Sequence, residues 1–207
     1  MRTKIDQGTW LRKDHFKLFD SFEEPYYSIV ADVDCTVAYQ NAKALSVSFF
    51  LYYLHCSLVA VNQSEPFRYR AEKGDVYLYD QINVSATVMR ADKTFGFGYW
   101  DYKPALADFV FEAQAEIARI QATTGLTVQD KGENLIHYSA IPWINFTGLT
   151  HARSFSYRDS VPKISFGKVV DKDGIKTMPV SITVHHGLVD GYHIGLYLEK
   201  FQALLNA

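Results

Sequence analysis

The stretch Val184-His185-His186-Gly187-Leu188-Val189-Asp190-Gly191 decides the fold of the C-terminal part of the chain, because it joins a β-rich segment to a helical one. The apolar and β-branched residues 178–184 predict a strand, and the pattern over 190–205 predicts a helix. His186 therefore lies at the end of a strand, where an imidazole that titrates near neutral pH can act as a general base. Asp190 follows one turn later, where a carboxylate can cap the helix or hold the loop.

The same residues also have a structural interpretation. A single histidine at the end of a strand is more often structural than catalytic, and Asp190-Gly191 is also common turn chemistry. The two adjacent histidines, their spacing to Asp190 and the strand-to-helix context together favour a functional site. We assign His185 a structural role and place His193 within the helix.

The length and composition predict a single globular domain over residues 1–207. The 207 residues are 48% hydrophobic and 21% charged, which suits one substantial core and is short for two domains. The net charge of −2 gives no reason to expect nucleic acid or an anionic membrane as a partner. Aromatic residues make up 15% of the chain and are enriched at protein interfaces, which hints at oligomerisation.

The cysteines and the N-terminal residues indicate a protein of the reducing cytoplasm. Cys35 and Cys56 are the only cysteines and form no CxxC motif, so we expect two free thiols. Residues 1–8 are polar and do not resemble a secretion signal. The apolar stretch 45–61 is short for a bilayer crossing and contains serines and a histidine, so it predicts a buried helix.

The pattern along the chain predicts an α+β fold, with a two-layer mixed β-sheet covered by helices. Helices are predicted over 10–19, 36–62 with Thr36 as N-cap, 104–122 and 190–205. Strands are predicted over 26–35, 85–102, 135–146, 154–158, 163–170 and 178–184, with a hairpin over 67–80 and a turn over 171–174. Gly96 and Gly98 indicate a bulge or a close backbone approach.

Several kinds of catalytic site lack their motifs here. Residue types that bind metals crowd together at His185, His186, Asp190 and His193. Adjacent strand residues point to opposite faces, however, and there is no HExxH motif or cysteine cluster, so we expect no metal site. There is no GxSxG nucleophile elbow and no glycine-rich phosphate motif. With these kinds of site set aside, the remaining possibility is a histidine that acts directly as a general base on a substrate hydroxyl.

Three motifs resemble those of the chloramphenicol acetyltransferase family. His185-His186-Gly187-Leu188-Val189-Asp190-Gly191-Tyr192-His193 resembles its active-site signature. Trp10-Leu11-Arg12-Lys13-Asp14-His15-Phe16 is similar to its W-x-R-x-x-H-F segment, and Ser139-Ala140-Ile141-Pro142-Trp143-Ile144-Asn145-Phe146 is similar to its S-A-x-P-W-x-N-F stretch. HHxxxDG alone also occurs in other CoA-dependent acyltransferases, whereas the three motifs in this order are specific to the family.

The resemblance implies an acetyl-CoA-dependent O-acetyltransferase. His186 would remove the proton from an acceptor hydroxyl, whose oxygen attacks the thioester of acetyl-CoA directly. Arg12 and Asp190 would form an ion pair that holds the imidazole in place. Ser139 would donate a hydrogen bond to the tetrahedral oxyanion. Ser165 stands where the family has a threonine that stabilises the transition state through a water molecule.

The resemblance also implies binding residues. It places Trp143 near the pantetheine arm of CoA and Lys168 within reach of a CoA phosphate, although packing and a solvated lysine are simpler interpretations of these two. In the acceptor pocket, Phe95 matches an aromatic residue of the family. Phe19 replaces a tyrosine and Phe97 replaces a smaller residue, so the part of the site that selects the acceptor looks altered. No role is implied for four other histidines: His15, His55, His137 and His151.

The family forms homotrimers with active sites between subunits, and the resemblance implies the same assembly here. It also implies a small-molecule acceptor, chloramphenicol or a related hydroxylated compound, and a link to antibiotic resistance. Two alternatives stay open. One is a related acyltransferase that acts on a dihydrolipoyl-type thiol or another alcohol. The other is a non-catalytic trimeric binding protein of the same fold, against which the intact His186, Asp190, Arg12 and Ser139 argue.

Overall fold

The computed structural model describes residues 1–129, 131–154 and 158–207. In chain order its elements are β1 (Arg2–Lys4), α1 (Lys13–Asp20), β2 (Tyr26–Asp34), α2 (Thr36–Ala44), α3 (Phe49–Asn62), a 3-10 turn (Glu65–Arg68), β3 (Tyr69–Glu72), β4 (Asp75–Tyr79), β5 (Asn83–Met89), β6 (Phe95–Trp100), α4 (Leu106–Gln121), β7 (Leu135–Ala140), β8 (Lys163–Phe166), β9 (Val170–Lys172), β10 (Ile175–His185) and α5 (Gly191–Leu205). The strand predicted over 154–158 lies outside the described residues, apart from its two end positions.

The described strands form two sheets. The large sheet has seven strands in the order β2-β10-β8-β7-β5-β6, with β9 paired to the start of β10. It is mixed, because β7 pairs in parallel with both β5 and β8 while the other pairs are antiparallel. The small sheet has the order β1-β4-β3. Helices and a mixed sheet in this arrangement confirm the predicted α+β class.

One face of the large sheet packs against helices. Tyr53 of α3 and Phe201 of α5 both contact Phe166 of β8, with ring centroids 4.6 and 6.0 Å apart. Phe166 pairs with Val180 of β10, and alternate residues of a strand share a face, so the apolar residues of β10 point into this core. The predicted apolar stripe of α5 is confirmed, because three of its four residues (Ile194, Phe201 and Leu205) are buried and Leu198 is half-buried.

The single helix predicted over 36–62 is wrong. The chain forms α2 and α3 instead, whose axes differ by 119°. α2 ends because Ser46 adopts a left-handed backbone conformation with φ of 56°, and the N–H of Val47 donates to the carbonyl of Ala42, as in a Schellman motif. At its start, the carboxylate of Asp34 accepts the N–H of Thr36, so Thr36 is the first helical residue rather than the cap.

α3 is the buried helix that its apolar sequence predicts, with most of its side chains in the core. Among the described residues, no single helix has the length and apolarity to span a membrane. α2 and α3 have the required length and apolarity only when they are counted as one segment, and that segment is bent by 119°.

The strands that form in the predicted extended segments are shorter than those segments. The segment 85–102 is a hairpin of β5 and β6, turning at Lys93, which has a φ of 69°. A Cβ at Gly96 would lie 2.6 Å from Arg90 and 2.8 Å from Ile120, so the predicted close approach at this glycine is confirmed. The strand predicted over 135–146 ends at Ala140, and 163–170 divides into β8 and the start of β9. The hairpin over 67–80 is confirmed as β3 and β4.

The loop after β7 is held against the end of β8 at Gly167. A Cβ there would lie 2.5 Å from Pro179, 2.9 Å from the carbonyl oxygen of Ile144 and 2.9 Å from Phe146. The next residue, Lys168, donates its N–H to the same carbonyl oxygen at 2.8 Å. Because one of the neighbours is backbone, only glycine lets the loop approach this closely.

We predict that Gly167→Ala lowers the free energy of unfolding by about 1–3 kcal/mol, because the added methyl group overpacks this contact. Gly195→Ala is the matched control, since no atom lies within 4 Å of a Cβ there and α5 favours alanine. Thermal unfolding of the two variants measures the difference. Equal unfolding midpoints for both would contradict the role given to the close approach.

Candidate active site

His186 follows the last residue of β10 and is clamped between two aromatic rings. The Phe19 ring stacks on the imidazole at 4.0 Å between centroids and an angle of 7°, and the Tyr27 ring lies on the other side at 4.3 Å. The backbone N–H of His186 donates to the carbonyl of Pro25 at 2.8 Å. Its Nδ1 is shielded from solvent and has no hydrogen-bond partner among the described residues. The side chain is therefore fixed by packing and by its backbone.

The loop that carries His186 is fastened by an ion pair between the two ends of the chain. Arg12, just before α1, donates to the Asp190 carboxylate at 2.6 Å and to the carbonyl of His186 at 3.3 Å. Asp190 also caps α5 by accepting the N–H groups of Tyr192 and His193. Partial burial opposes its ionisation, but the hydrogen bond from Arg12 and the neighbouring charges outweigh burial and lower its pKa. Arg12 thus ties the carboxylate of Asp190 to the backbone of His186.

The other two histidines of this segment are structural. His185 is buried on the opposite side of the strand, where its Nδ1 accepts the N–H of Gly187 at 3.2 Å and its Nε2 lies 3.7 Å from Asp20. The neighbouring imidazole of His185 lowers the pKa of Asp20. The Nδ1 of His193 accepts the N–H of Asp190 at 3.2 Å and completes the cap of α5. In the part of the chain that the structure describes, no group of three or more ligand-type side chains could hold a metal ion.

Both cysteines are free and buried. Burial raises the pKa of Cys35 to about 11 and that of Cys56 to about 12. Thiols with such values hold almost no thiolate at neutral pH, so neither is suited to nucleophilic catalysis.

A row of hydroxyl groups crosses the face of the large sheet that is opposite the helices. Ser139 of β7 is in register with Ser165 of β8, and Ser165 is in register with Ser181 of β10. Thr87 of β5 extends the row, with its Oγ1 3.5 Å from the Oγ of Ser139. The hydroxyls of Ser165 and Ser181 are fully buried and have no partner among the described residues. The fold thus brings Ser139 and Ser165 together on neighbouring strands.

His186 and Ser139 of one chain lie far apart. Ser181 is the β10 residue level with Ser139, and His186 comes five residues after it. At about 3.3 Å per residue and about 4.8 Å between strands, the separation is roughly 16 Å along the strand and roughly 10 Å across two strand spacings. A base and an oxyanion donor that serve one reaction must both lie within hydrogen-bond reach of the reacting atoms. A single chain therefore does not bring the two residues to one centre.

Trp143 lines an apolar cavity of about 440 Å³, here called the Trp143 cavity. Its wall includes Phe49, Phe50 and Tyr53 from the start of α3 and Met178 of β10. Lys168 is exposed and hydrogen-bonded through its backbone to the loop that carries Trp143. The cavity suits a long apolar group, with a cationic side chain near its entrance.

Ser139 lines a second cavity of about 350 Å³, here called the Ser139 cavity. Phe97 lines it, and Phe95 lies beside Phe97 with ring centroids 5.6 Å apart and is itself exposed. Phe19 does not line this cavity, because it lies against His186. Thr87 contributes to the walls of both cavities.

Sequence reasoning missed two parts of this site. Tyr27 completes the clamp on His186, but an aromatic residue in a strand carries no signal of such a role. His137, His151 and Lys163 line the Ser139 cavity, although each is isolated in the sequence. Only the alternation of β7 and β8, which puts His137 and Lys163 on the same face as Ser139, could have indicated them.

Comparison with known proteins agrees with this fold. A sequence profile described as chloramphenicol acetyltransferase matches residues 1–202. The chloramphenicol acetyltransferase of Clostridioides difficile is 28% identical over 98% of this chain and 95% of its own length. A solved chloramphenicol acetyltransferase structure has a TM-score of 0.86 and 33% identity, and the match covers 99% of this chain and 100% of that one. A probable dihydrolipoamide acetyltransferase of Listeria monocytogenes shares the fold, with a TM-score of 0.70 and 12% identity over 93% of this chain and 88% of that one.

A profile match over nearly the whole chain, together with the three motifs, is sufficient to assign the family. The chain belongs, as its motifs predict, to the chloramphenicol acetyltransferase family of acyltransferases.

Proposed function

We propose that the protein is an acetyl-CoA-dependent O-acetyltransferase in which His186 is the general base. The base takes the proton of an acceptor hydroxyl, the oxygen attacks the thioester carbonyl, and the CoA thiolate leaves and takes up a proton. The acceptor is chloramphenicol or a related small hydroxylated compound. The observation that carries this proposal is the aromatic clamp on His186, which leaves the imidazole positioned by packing and free of side-chain hydrogen bonds at Nδ1 among the described residues.

Arg12 and Asp190 are positioning residues in this proposal. They do not touch the reacting atoms but fix the loop through the carboxylate and the carbonyl of His186. Ser139 donates its hydroxyl to the oxyanion that forms on the thioester carbon. Ser165, one strand away and buried, supports this part of the site through its hydroxyl.

Acetyl-CoA enters through the Trp143 cavity in this proposal. The apolar walls suit the pantetheine arm, and the exposed Lys168 lies where a phosphate of CoA would meet a cation. The entire chain acts as one domain. Free thiols and the use of a cytoplasmic thioester fit a cytoplasmic location.

The active form is a homotrimer with its sites between subunits. The separation of His186 from Ser139 within one chain supports this assembly, because a second copy can supply the missing partner. Each site then takes its base from one subunit and its oxyanion donor from the next.

We predict that His186→Ala abolishes the release of CoA thiol from acetyl-CoA in the presence of an active acceptor. The assay runs chloramphenicol and a panel of small hydroxylated compounds beside the wild type. Loss of the general base is expected to lower kcat by about 10²–10⁴. Turnover that survives the substitution would exclude His186 as the base.

Mixing two inactive variants tests the shared site. We expect His186→Ala and Ser139→Ala to be inactive or nearly so alone. Refolded together in equal amounts, they would recover about a quarter of the wild-type sites, because random cyclic trimers place an intact His186 beside an intact Ser139 at that frequency. Thiol release by the mixture measures this. No recovery, in mixtures shown by mass spectrometry to contain hetero-oligomers, would mean that both residues act within one chain.

A double-mutant cycle tests the ion pair. Arg12→Met, Asp190→Asn and the double variant should give a coupling of about 0.5–3 kcal/mol in unfolding free energy, with a fall in kcat larger than the change in KM. The lowered pKa of Asp190 means that its stabilising contribution is present above the pKa of an unfolded aspartate and is lost as pH falls through the folded value. The wild type should therefore lose more stability than Asp190→Asn between about pH 5 and pH 2. An equal loss of unfolding free energy with falling pH in the wild type and in Asp190→Asn would argue against the ion pair.

A further inference from the structure

The Ser139 cavity is the place left for the acceptor. It shares Thr87 with the wall of the Trp143 cavity, and the Thr87 hydroxyl lies 3.5 Å from that of Ser139. A thioester that arrives through the Trp143 cavity puts its carbonyl beside Ser139, and the acceptor then occupies the other side. The volume of about 350 Å³ is at the small end of the range for ligand pockets, about 300–1,000 Å³. This step depends on the proposed function of Ser139.

The wall of the Ser139 cavity carries several polar side chains set in a larger apolar surface. Ligand pockets are mainly apolar with a small number of polar groups. Here seven side chains bring a hydroxyl, an imidazole or an ammonium group to the cavity: Ser85, Thr87, Tyr99, His137, Ser139, His151 and Lys163. The apolar part of the lining includes Phe97 of β6, Val128 and Ala152. An acceptor bound here therefore meets both apolar surface and a set of hydrogen-bonding groups.

The two imidazoles are uncharged and have no hydrogen-bond partners among the described residues. Burial, reinforced by the charge of Lys163, lowers the pKa of His137 to about 4 and lowers that of His151 as well. The Nε2 of His151 is shielded from solvent and unpaired within the described part of the chain. A neutral imidazole offers one donor and one acceptor, which is the pairing that a hydroxyl group makes. A buried polar atom left without a partner is destabilising, so a ligand hydroxyl that pairs with it gains affinity.

The charge of Lys163 is already balanced by the protein. Its Nζ lies 3.2 Å from the Asp159 carboxylate, which also accepts the Tyr26 hydroxyl at 2.5 Å. Burial opposes ionisation of Asp159, yet Lys163 and Tyr26 hold its pKa below the usual value. The nearby Arg153 pairs with Glu24. Lys163 can thus donate a hydrogen bond to a ligand, but the cluster offers no net positive charge to attract an anion.

We propose that the acceptor is an uncharged, polyhydroxylated molecule, such as a sugar or polyol, bound in the Ser139 cavity by His137, His151 and Lys163. The rings of Phe97 and Tyr99 supply a flat wall for its C–H surface. Sites that read hydroxyl groups reject analogues that lack them, because their own polar groups are then left unpaired. Asp159 acts as a positioning residue that holds Lys163.

The test compares acceptors that differ in one property at a time. Thiol release from acetyl-CoA is measured with sorbitol, with D-galactose, with D-gluconate, which adds a carboxylate, and with chloramphenicol. Binding of the same four compounds to the His186→Ala protein is measured by calorimetry, so that recognition is read separately from turnover. The variants are Asp159→Asn/Lys163→Met, which removes both charges together, and His151→Leu, which remains informative if the double variant fails to fold.

Lys103→Met is the matched control, because Lys103 is also paired with a carboxylate, Glu112 at 3.1 Å, and lines neither cavity. We expect sorbitol or D-galactose to be preferred by the wild type. Each cavity variant should weaken their binding and kcat/KM by about tenfold or more, with little effect on chloramphenicol and none from the control.

Each outcome decides one of the two proposals. Preference for D-gluconate over sorbitol would contradict the proposal that the acceptor is uncharged. Preference for chloramphenicol that survives the cavity variants would contradict the proposal that the acceptor is polyhydroxylated. His186-dependent turnover of chloramphenicol alone leaves the proposed function standing without this inference. Binding of sorbitol or D-galactose that depends on Lys163 or His151, without any His186-dependent turnover, supports this inference and removes the proposed function.

Discussion

The bond between Arg12 and Asp190 is the constraint on which the rest of the site depends. It joins residues 178 positions apart. The guanidinium group of Arg12 binds both the carboxylate of Asp190, which caps α5, and the backbone carbonyl of His186. The carboxylate is held ionised against partial burial, so the pair combines charge with hydrogen-bond geometry. With the loop fixed in this way, Phe19 and Tyr27 need only close on the imidazole from either side.

The two faces of the large sheet differ in the side chains that they carry. The helix-covered face is apolar and supplies the stability, with Tyr53 and Phe201 both in contact with Phe166. The other face carries hydroxyls in register across four strands, and polar groups there are buried without complete pairing among the described residues. Such groups are costly in a core that exists only for stability. Their concentration on one face fits the ligand-binding role proposed for it.

The sequence predicts those features that local patterns or motifs carry. The α+β class, the hairpin of β3 and β4 and the apolar stripe of α5 follow from periodicity, and the approach of Arg12 to Asp190 follows from the resemblance. The break between α2 and α3 does not follow from the sequence, because the left-handed conformation of Ser46 has no signature in composition. The sequence also fails to predict the roles of Lys163 and Tyr27, for a related reason. Each gains its position from strand register, which joins residues that are distant in the sequence.

The span between Arg12 and Asp190 has a consequence for how the protein is made. Synthesis proceeds from the N-terminus, so the guanidinium group emerges long before its partner, and β2 likewise waits for β10. Proteins with so many distant contacts fold slowly and expose unpaired strand edges meanwhile. A nascent chain that ends before Asp190 therefore contains Arg12 and β2 but lacks the groups with which they pair.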